Sequence, residues 1–183
     1  GVSAKEFGEA LASLPDDITE IRLHINSPGG EVWDAMAIVN QLRRHPARTV
    51  AVVDGIAASA ASVIAVTCDE TVMGVGAQLM IHDASSGIWG DATRLRKEAD
   101  SLDRISQTVA AMYAERAGGT AEEWRTAMLA ETWYSAEEAV AAGLADRVEQ
   151  ISNKEIPEVG DSEATIFVHA GRSSAPPPFI PTG

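Results

Sequence analysis

A single cysteine, Cys68, stands in the 183-residue chain, so neither an internal disulfide nor a multi-cysteine metal site is available. Lysine is scarce as well. Lys5, Lys97 and Lys154 are the only three, and 14 basic residues in all face 27 acidic ones, a formal charge of −13. So acidic a surface excludes nucleic acid and anionic membrane as the main partner. No apolar stretch reaches the roughly 18 residues that a membrane span needs. The longest low-charge run, Gly55 to Cys68, is short and built of Ala and Ser. No signal-peptide pattern is expected, which points to a cytoplasmic setting. Proline is thin until the end, where Ile156–Gly183 holds five of the eight, Pro176-Pro177-Pro178 among them. That stretch has no helical period and reads as a tail or linker. What remains, residues 1–151, is the right size for one domain with a real core. The residues 152–183 form the tail.

Local signals in the domain are strong. A Ser or Thr N-cap followed three residues later by Glu satisfies two orphan backbone donors reciprocally. Ser3–Glu6, Thr120–Glu123 and Ser135–Glu138 each have this form, predicting helices to about Ala12, Leu129 and Gly143. Periodicity predicts two more. Asp34–His45 places Ala35, Met36, Ile38, Val39 and Leu42 on one side, and Pro46 ends it. Asp91–Ala117 is the longest, with Leu95, Ala99, Leu102, Ile105, Val109, Met112 and Tyr113 at helical spacing before Gly118-Gly119. Strands are expected at Ile21–Asn26, Thr49–Val53, Thr71–Val75, Gln78–His82 and Leu144–Gln150. The alternation of strands with helices predicts an α/β fold with mainly parallel pairing.

Four places have residues suited to chemistry. Of the four histidines, His24 lies within an alternating strand, His45 beside Pro46, and His169 in the tail. His82 ends an apolar strand and enters a Ser/Gly loop, where α/β folds put working groups. It is either a general base or a satisfied structural histidine. Gly55-Ile-Ala-Ala-Ser59-Ala-Ala-Ser62 follows a strand and leads into a small-residue helix. A serine at such a turn has backbone N–H groups nearby to stabilise an oxyanion, though tight Ala/Ser packing explains the same residues, and Ser62 is a weaker second candidate. Asn26-Ser27-Pro28-Gly29-Gly30 forces an abrupt turn, which is either a turn and nothing more or one through which backbone can approach a ligand. Glu131, ahead of Thr132-Trp133-Tyr134, is either a solvated loop acid or a carboxylate that orients the imidazole.

Taken together, INSPGG (25–30), GIAAS (55–59), MIHDA (80–84) and WYSAEEAVAAGLAD (133–146) resemble, in order and spacing, the Clp protease proteolytic subunit family, over about Ile21–Val148. ETW at 131–133 and RRHPAR at 43–48 look most like its phage and prophage branch, which includes head-maturation proteases. The resemblance implies a ClpP/crotonase-like fold with a long handle helix, Asp91–Ala117, that joins stacked rings. It implies Ser59 as nucleophile, His82 as general base, and the Gly30 and Ala60 N–H groups as oxyanion hole. The family's third member is Asp. Glu131 stands at that position here, and Asp83 is the other candidate. An extended substrate would pair with Gly29-Gly30-Glu31-Val32 and Ser85-Ser86-Gly87 as strand edges. No metal and no organic cofactor is needed for the cleavage. The expected partners are polypeptide substrates, copies of itself in heptameric rings, an ATP-dependent unfoldase and, in the phage branch, capsid proteins in a host cytoplasm or prohead. The family's N-terminal strand and axial pore segment have no counterpart in this sequence. Trp89, Met112 and Tyr113 belong either to subunit contacts or to the core. Two other readings use the same fold: a catalytically inactive ring or scaffold protein, and a crotonase-type enzyme polarising an acyl-CoA thioester with the Gly30 and Ala60 amides.

Overall fold

The computed structural model describes residues 1–149 and 175–181. The chain runs α1 (Ala4–Ala12), β1 (Glu20–Ser27), α2 (Val32–Arg44), β2 (Arg48–Ala58), α3 (Ala60–Val66), β3 (Glu70–Gly74), β4 (Gln78–Ile81), α4 (Ala92–Ala117), α5 (Ala121–Leu129), β5 (Thr132–Ser135), α6 (Ala136–Ala141) and β6 (Arg147–Glu149). The sheet has the order β5-β4-β2-β3-β6, with β1 also on β2. Pairing is parallel except between β4 and β5. This is the α/β architecture that the alternating pattern predicts.

All three capping boxes form, with the N-cap side chain accepting from the third helical N–H and the glutamate returning to the cap. Val50, Ala51 and Val53 of β2 are fully buried, as a strand covered on both faces requires. Helices α2, α3 and α5 pack Ile38, Val39, Val63, Val66, Trp124 and Met128 into one core with β2 and β4.

Four expectations change. The strand predicted at Thr49–Val53 continues to Ala58. It passes through Gly55 beside the β1 bulge, where a Cβ would lie 2.8 Å from Asn26 Oδ1, so that a larger residue would need the Asn26 side chain to shift. Thr132–Ser135, read as the approach to a cap, is strand β5. The strand expected at Leu144–Gln150 starts only at Arg147, since the N–H groups of Leu144 and Ala145 are used to close α6 on Ala139 O at 2.9 and 3.1 Å, and Gln150 lies outside the described residues. In α4 the buried residues are Ser106, Val109, Ala110 and Tyr113, whereas Leu95 and Ala99 are exposed. Among the described residues nothing covers Leu95 and Ala99 in the first half of the helix.

Most of the tail lies outside the described residues, His169 included. Ala175–Pro181 lies against the domain. The Phe179 ring meets Trp124 edge-on, with centroids 5.0 Å apart, and Tyr134 donates its hydroxyl to Phe179 O at 3.1 Å. Phe179→Ala is expected to lower stability by about 2 kcal/mol, less than a fully buried Phe costs. Thermal unfolding of the full chain would show this as a Tm lower by roughly 4–8 °C.

Candidate active site

Ser59 sits between β2 and α3 with φ 53° and ψ −125°, a left-handed conformation that a non-glycine residue adopts only under constraint. Several constraints act on it. Its N–H donates to Met80 O at 2.9 Å, and its carbonyl accepts from Ser62 N at 3.0 Å and Ser62 Oγ at 2.6 Å. On the other side lies Gly29, with φ 105°. A Cβ on Gly29 would lie 2.8 Å from Ala58 O and from Ser59 Cβ, and 3.1 Å from Ala60 N. The glycine of the first turn is therefore required by the close approach of the Ser59 turn, which brings the INSPGG and GIAAS segments together.

His82 follows β4, the strand paired with the end of β2. Its Nε2 lies 2.8 Å from Ser59 Oγ. With the proton on Nδ1, the serine hydroxyl donates to Nε2, which is the arrangement that lets imidazole take the hydroxyl proton. Burial pushes the His82 pKa below its ordinary value, against the pull of the Glu131 and Asp83 charges. The ring is thus held neutral and ready to accept at neutral pH.

The two candidate acids have different surroundings. Asp83 is bound by Arg125, whose Nε donates to both carboxylate oxygens at 2.7 and 2.9 Å, while Asp103 takes the other end of the guanidinium at 2.7 Å. Asp83 is thereby committed to a structural ion pair. Glu131 is only 5% exposed and has φ 49°. Trp133 Nε1 donates to its Oε1 at 3.2 Å, and the Glu131 charge acts on the His82 ring. The backbone turn before β5 is what brings this longer acid inward rather than leaving it in solvent.

The remaining expected site residues lie as follows. Ala60 opens α3 directly after Ser59 and is buried. Gly30 and Glu31 are irregular, and Val32 is the first residue of α2, so this stretch is not a strand in the chain itself. Ser85, Ser86 and Gly87 are exposed in the irregular stretch 82–91. Ser62 is fully buried with its hydroxyl engaged, which removes it as a nucleophile. His24 pairs with Asp54 at 3.1 Å, and His45 Nδ1 accepts from Ala47 N–H at 3.1 Å. Trp133, Arg125, Ser106 and Tyr113 also serve the site region. Only the proximity of Trp133 to Glu131 in the sequence could have signalled any of them. Among the described residues no cluster of three potential metal ligands occurs, and no helix is long and apolar enough to cross a membrane.

A serine on a constrained strand-to-helix turn, bonded to a half-buried imidazole that a buried carboxylate faces, defines a protein of the serine-peptidase class. Residues 3–152 match the family model described as Clp protease. The chain is 32% identical over 142 residues to "ATP-dependent Clp protease proteolytic subunit 3" of Streptomyces coelicolor, covering 76% of this chain and 65% of the relative. It is 35% identical over 140 residues to "ATP-dependent Clp protease proteolytic subunit" of Pleurastrum terricola, covering 74% and 70%. It therefore belongs to the Clp protease family. The chain spans about two thirds of the length of these relatives.

Proposed function

We propose that this chain is the catalytic subunit of a self-assembling serine endopeptidase that cleaves polypeptides through an acyl-enzyme. The observation that carries the reading is the 2.8 Å contact between Ser59 Oγ and His82 Nε2 on a constrained turn. In the mechanism, His82 Nε2 takes the hydroxyl proton as Ser59 Oγ attacks a peptide carbonyl. Glu131 holds the imidazole and stabilises its cationic form. The Gly30 and Ala60 N–H groups receive the oxyanion. His82 then protonates the leaving amine, and water, activated by the same imidazole, releases the acyl group from Ser59. The exposed stretch around Ser85–Gly87 and the turn after Gly30 accept the substrate as an added strand, so recognition is largely through backbone and specificity is broad.

Self-assembly is supported by the apolar surface that α2 and α4 leave open. Trp33 is 66% exposed beside Val32, Met36 and Ile105, and Trp89 is 93% exposed just before the projecting half of α4. Rings, heptameric by family likeness and stacked through α4, are the assembly proposed, with a cytoplasmic location. An ATP-driven unfoldase is the partner proposed, in keeping with the words "ATP-dependent" in the names of the relatives. The finer assignment, to a phage or prophage protease acting on capsid precursors, rests on the ETW and RRHPAR segments alone.

A fluorophosphonate probe with mapping of the adduct by mass spectrometry tests the chemistry. A single adduct is expected on Ser59, absent in His82→Ala. Because burial lowers the pKa of His82 and labelling needs its neutral form, the acid limb of the labelling rate is expected below 6.5, the ordinary value for histidine. No adduct on the assembled protein would instead indicate a scaffold.

A further inference from the structure

Helix α4 bears two buried polar side chains on an otherwise apolar face, Ser106 and Tyr113, both about 1% exposed. They are seven residues apart, two turns and roughly 10 Å along the axis. Each ends on one half of the candidate active site. Tyr113 Oη lies 2.7 Å from Ser62 Oγ. Ser62 spends its own proton on Ser59 O at 2.6 Å, so in that pair Tyr113 is the donor. Ser106 Oγ accepts the Ala84 N–H at 3.0 Å, two residues beyond His82. The Tyr113 ring is fixed in turn against Trp124, with centroids 5.9 Å apart. Its hydroxyl is a neutral donor at any working pH, since burial pushes its pKa well above the ordinary phenol value.

We propose that Tyr113 and Ser106 are positioning residues, and that α4 is the brace that sets the distance between Ser59 and His82. Tyr113 acts through Ser62 on the Ser59 carbonyl, and Ser106 acts on the backbone that follows the imidazole. The physical reason is that the Ser59 conformation is unfavourable by itself and persists only while surrounding bonds over-determine it. The carbonyl of Ser59 is one such anchor, and a hydroxyl that already receives a hydrogen bond donates more strongly to it. The proposal rests on the reading of Ser59 as nucleophile and adds residues to it that touch neither substrate nor reacting atoms.

The test uses the full chain, a fluorogenic peptide and the fluorophosphonate probe. Tyr113→Phe keeps the ring and removes only the hydroxyl. It is expected to lower both kcat and the labelling rate about tenfold, with KM and the assembly state unchanged. Ser62→Ala, a smaller change, is expected to do the same and tests the link independently should Tyr113→Phe fold poorly. The double variant is expected to lose about tenfold, not a hundredfold, because one chain of bonds is broken in each case. Ser106→Ala is expected to lower kcat, and Ser106→Thr, which keeps the oxygen, to restore it. Wild-type kcat in folded Tyr113→Phe and Ser62→Ala, or losses that simply multiply, would overturn the brace while leaving Ser59 as nucleophile. Absence of labelling in the unsubstituted protein would overturn the nucleophile reading, and the brace with it.

Discussion

Ser59→Ala is expected to lower kcat on a peptide substrate by about 10⁶, the loss seen when the nucleophile of a serine triad is removed, with the residual rate due to binding and the oxyanion donors. The fold has little reason to notice. Alanine has the same Cβ, so the backbone conformation at φ 53° is no more strained than before, and the lost side-chain bond to His82 is a single one. Circular dichroism and sedimentation are therefore expected to match the unsubstituted chain. Glycine at the same position separates strain from chemistry. It adopts positive φ freely, so Ser59→Gly is expected to be as inactive as Ser59→Ala yet to melt at a higher temperature. That result would show stability given up at this position for a correctly aimed hydroxyl. Unchanged turnover in Ser59→Ala would remove the serine from the mechanism.

The second large effect is expected at Glu131. Glu131→Gln keeps the shape and an oxygen for the Trp133 indole N–H, but loses the charge that faces His82. A fall in kcat of about 10⁴ is expected, as for the amide variant of a triad carboxylate. The direction of the pH effect follows from the sign of that charge. Glu131 raises the proton affinity of His82 against the burial that lowers it, so its neutralisation moves the acid limb of the residual activity to still lower pH. Glu131→Asp retains the charge but draws it back by one methylene from a backbone at φ 49°. A displacement of about an ångström costs on the order of 10² in rate, so this variant is expected to lie between the unsubstituted protein and Glu131→Gln. Normal cleavage by Glu131→Gln would mean that another group orients the imidazole. Asp83 is poorly placed for that, with both its oxygens on Arg125.

How much of this could be read from the sequence differs by element. The helix starts at Ser3, Thr120 and Ser135 were legible because a capping box is a contact between residues three apart, decided before any tertiary packing. The buried β2 was legible from its nearly continuous apolar, β-branched run at Thr49–Val53. Ser59 and His82 could be picked out because each ends a recognisable strand or motif, Glu131 because it stands just ahead of one, and all three because the four motifs keep one order along the chain. Strand β5 was not legible. Four residues between two helices have no period of their own, and their strand character comes from pairing with β4. The exposure of Leu95 and Ala99 was hidden for the converse reason, since helical spacing tells which side is apolar and not whether anything lies against it.

By itself, then, the sequence determined the local pieces: the capped helices, the α/β alternation and the residue types able to carry acyl transfer. The tertiary structure alone decided which of them meet. It brought Gly29 against Ser59, put Asp83 on Arg125, turned Glu131 inward beside Trp133, and set Tyr113 behind Ser62 from a helix 51 residues away. Caps and periods are set by neighbours along the chain, whereas the geometry of a reacting pair depends on distances across the sheet, which only the packed core defines.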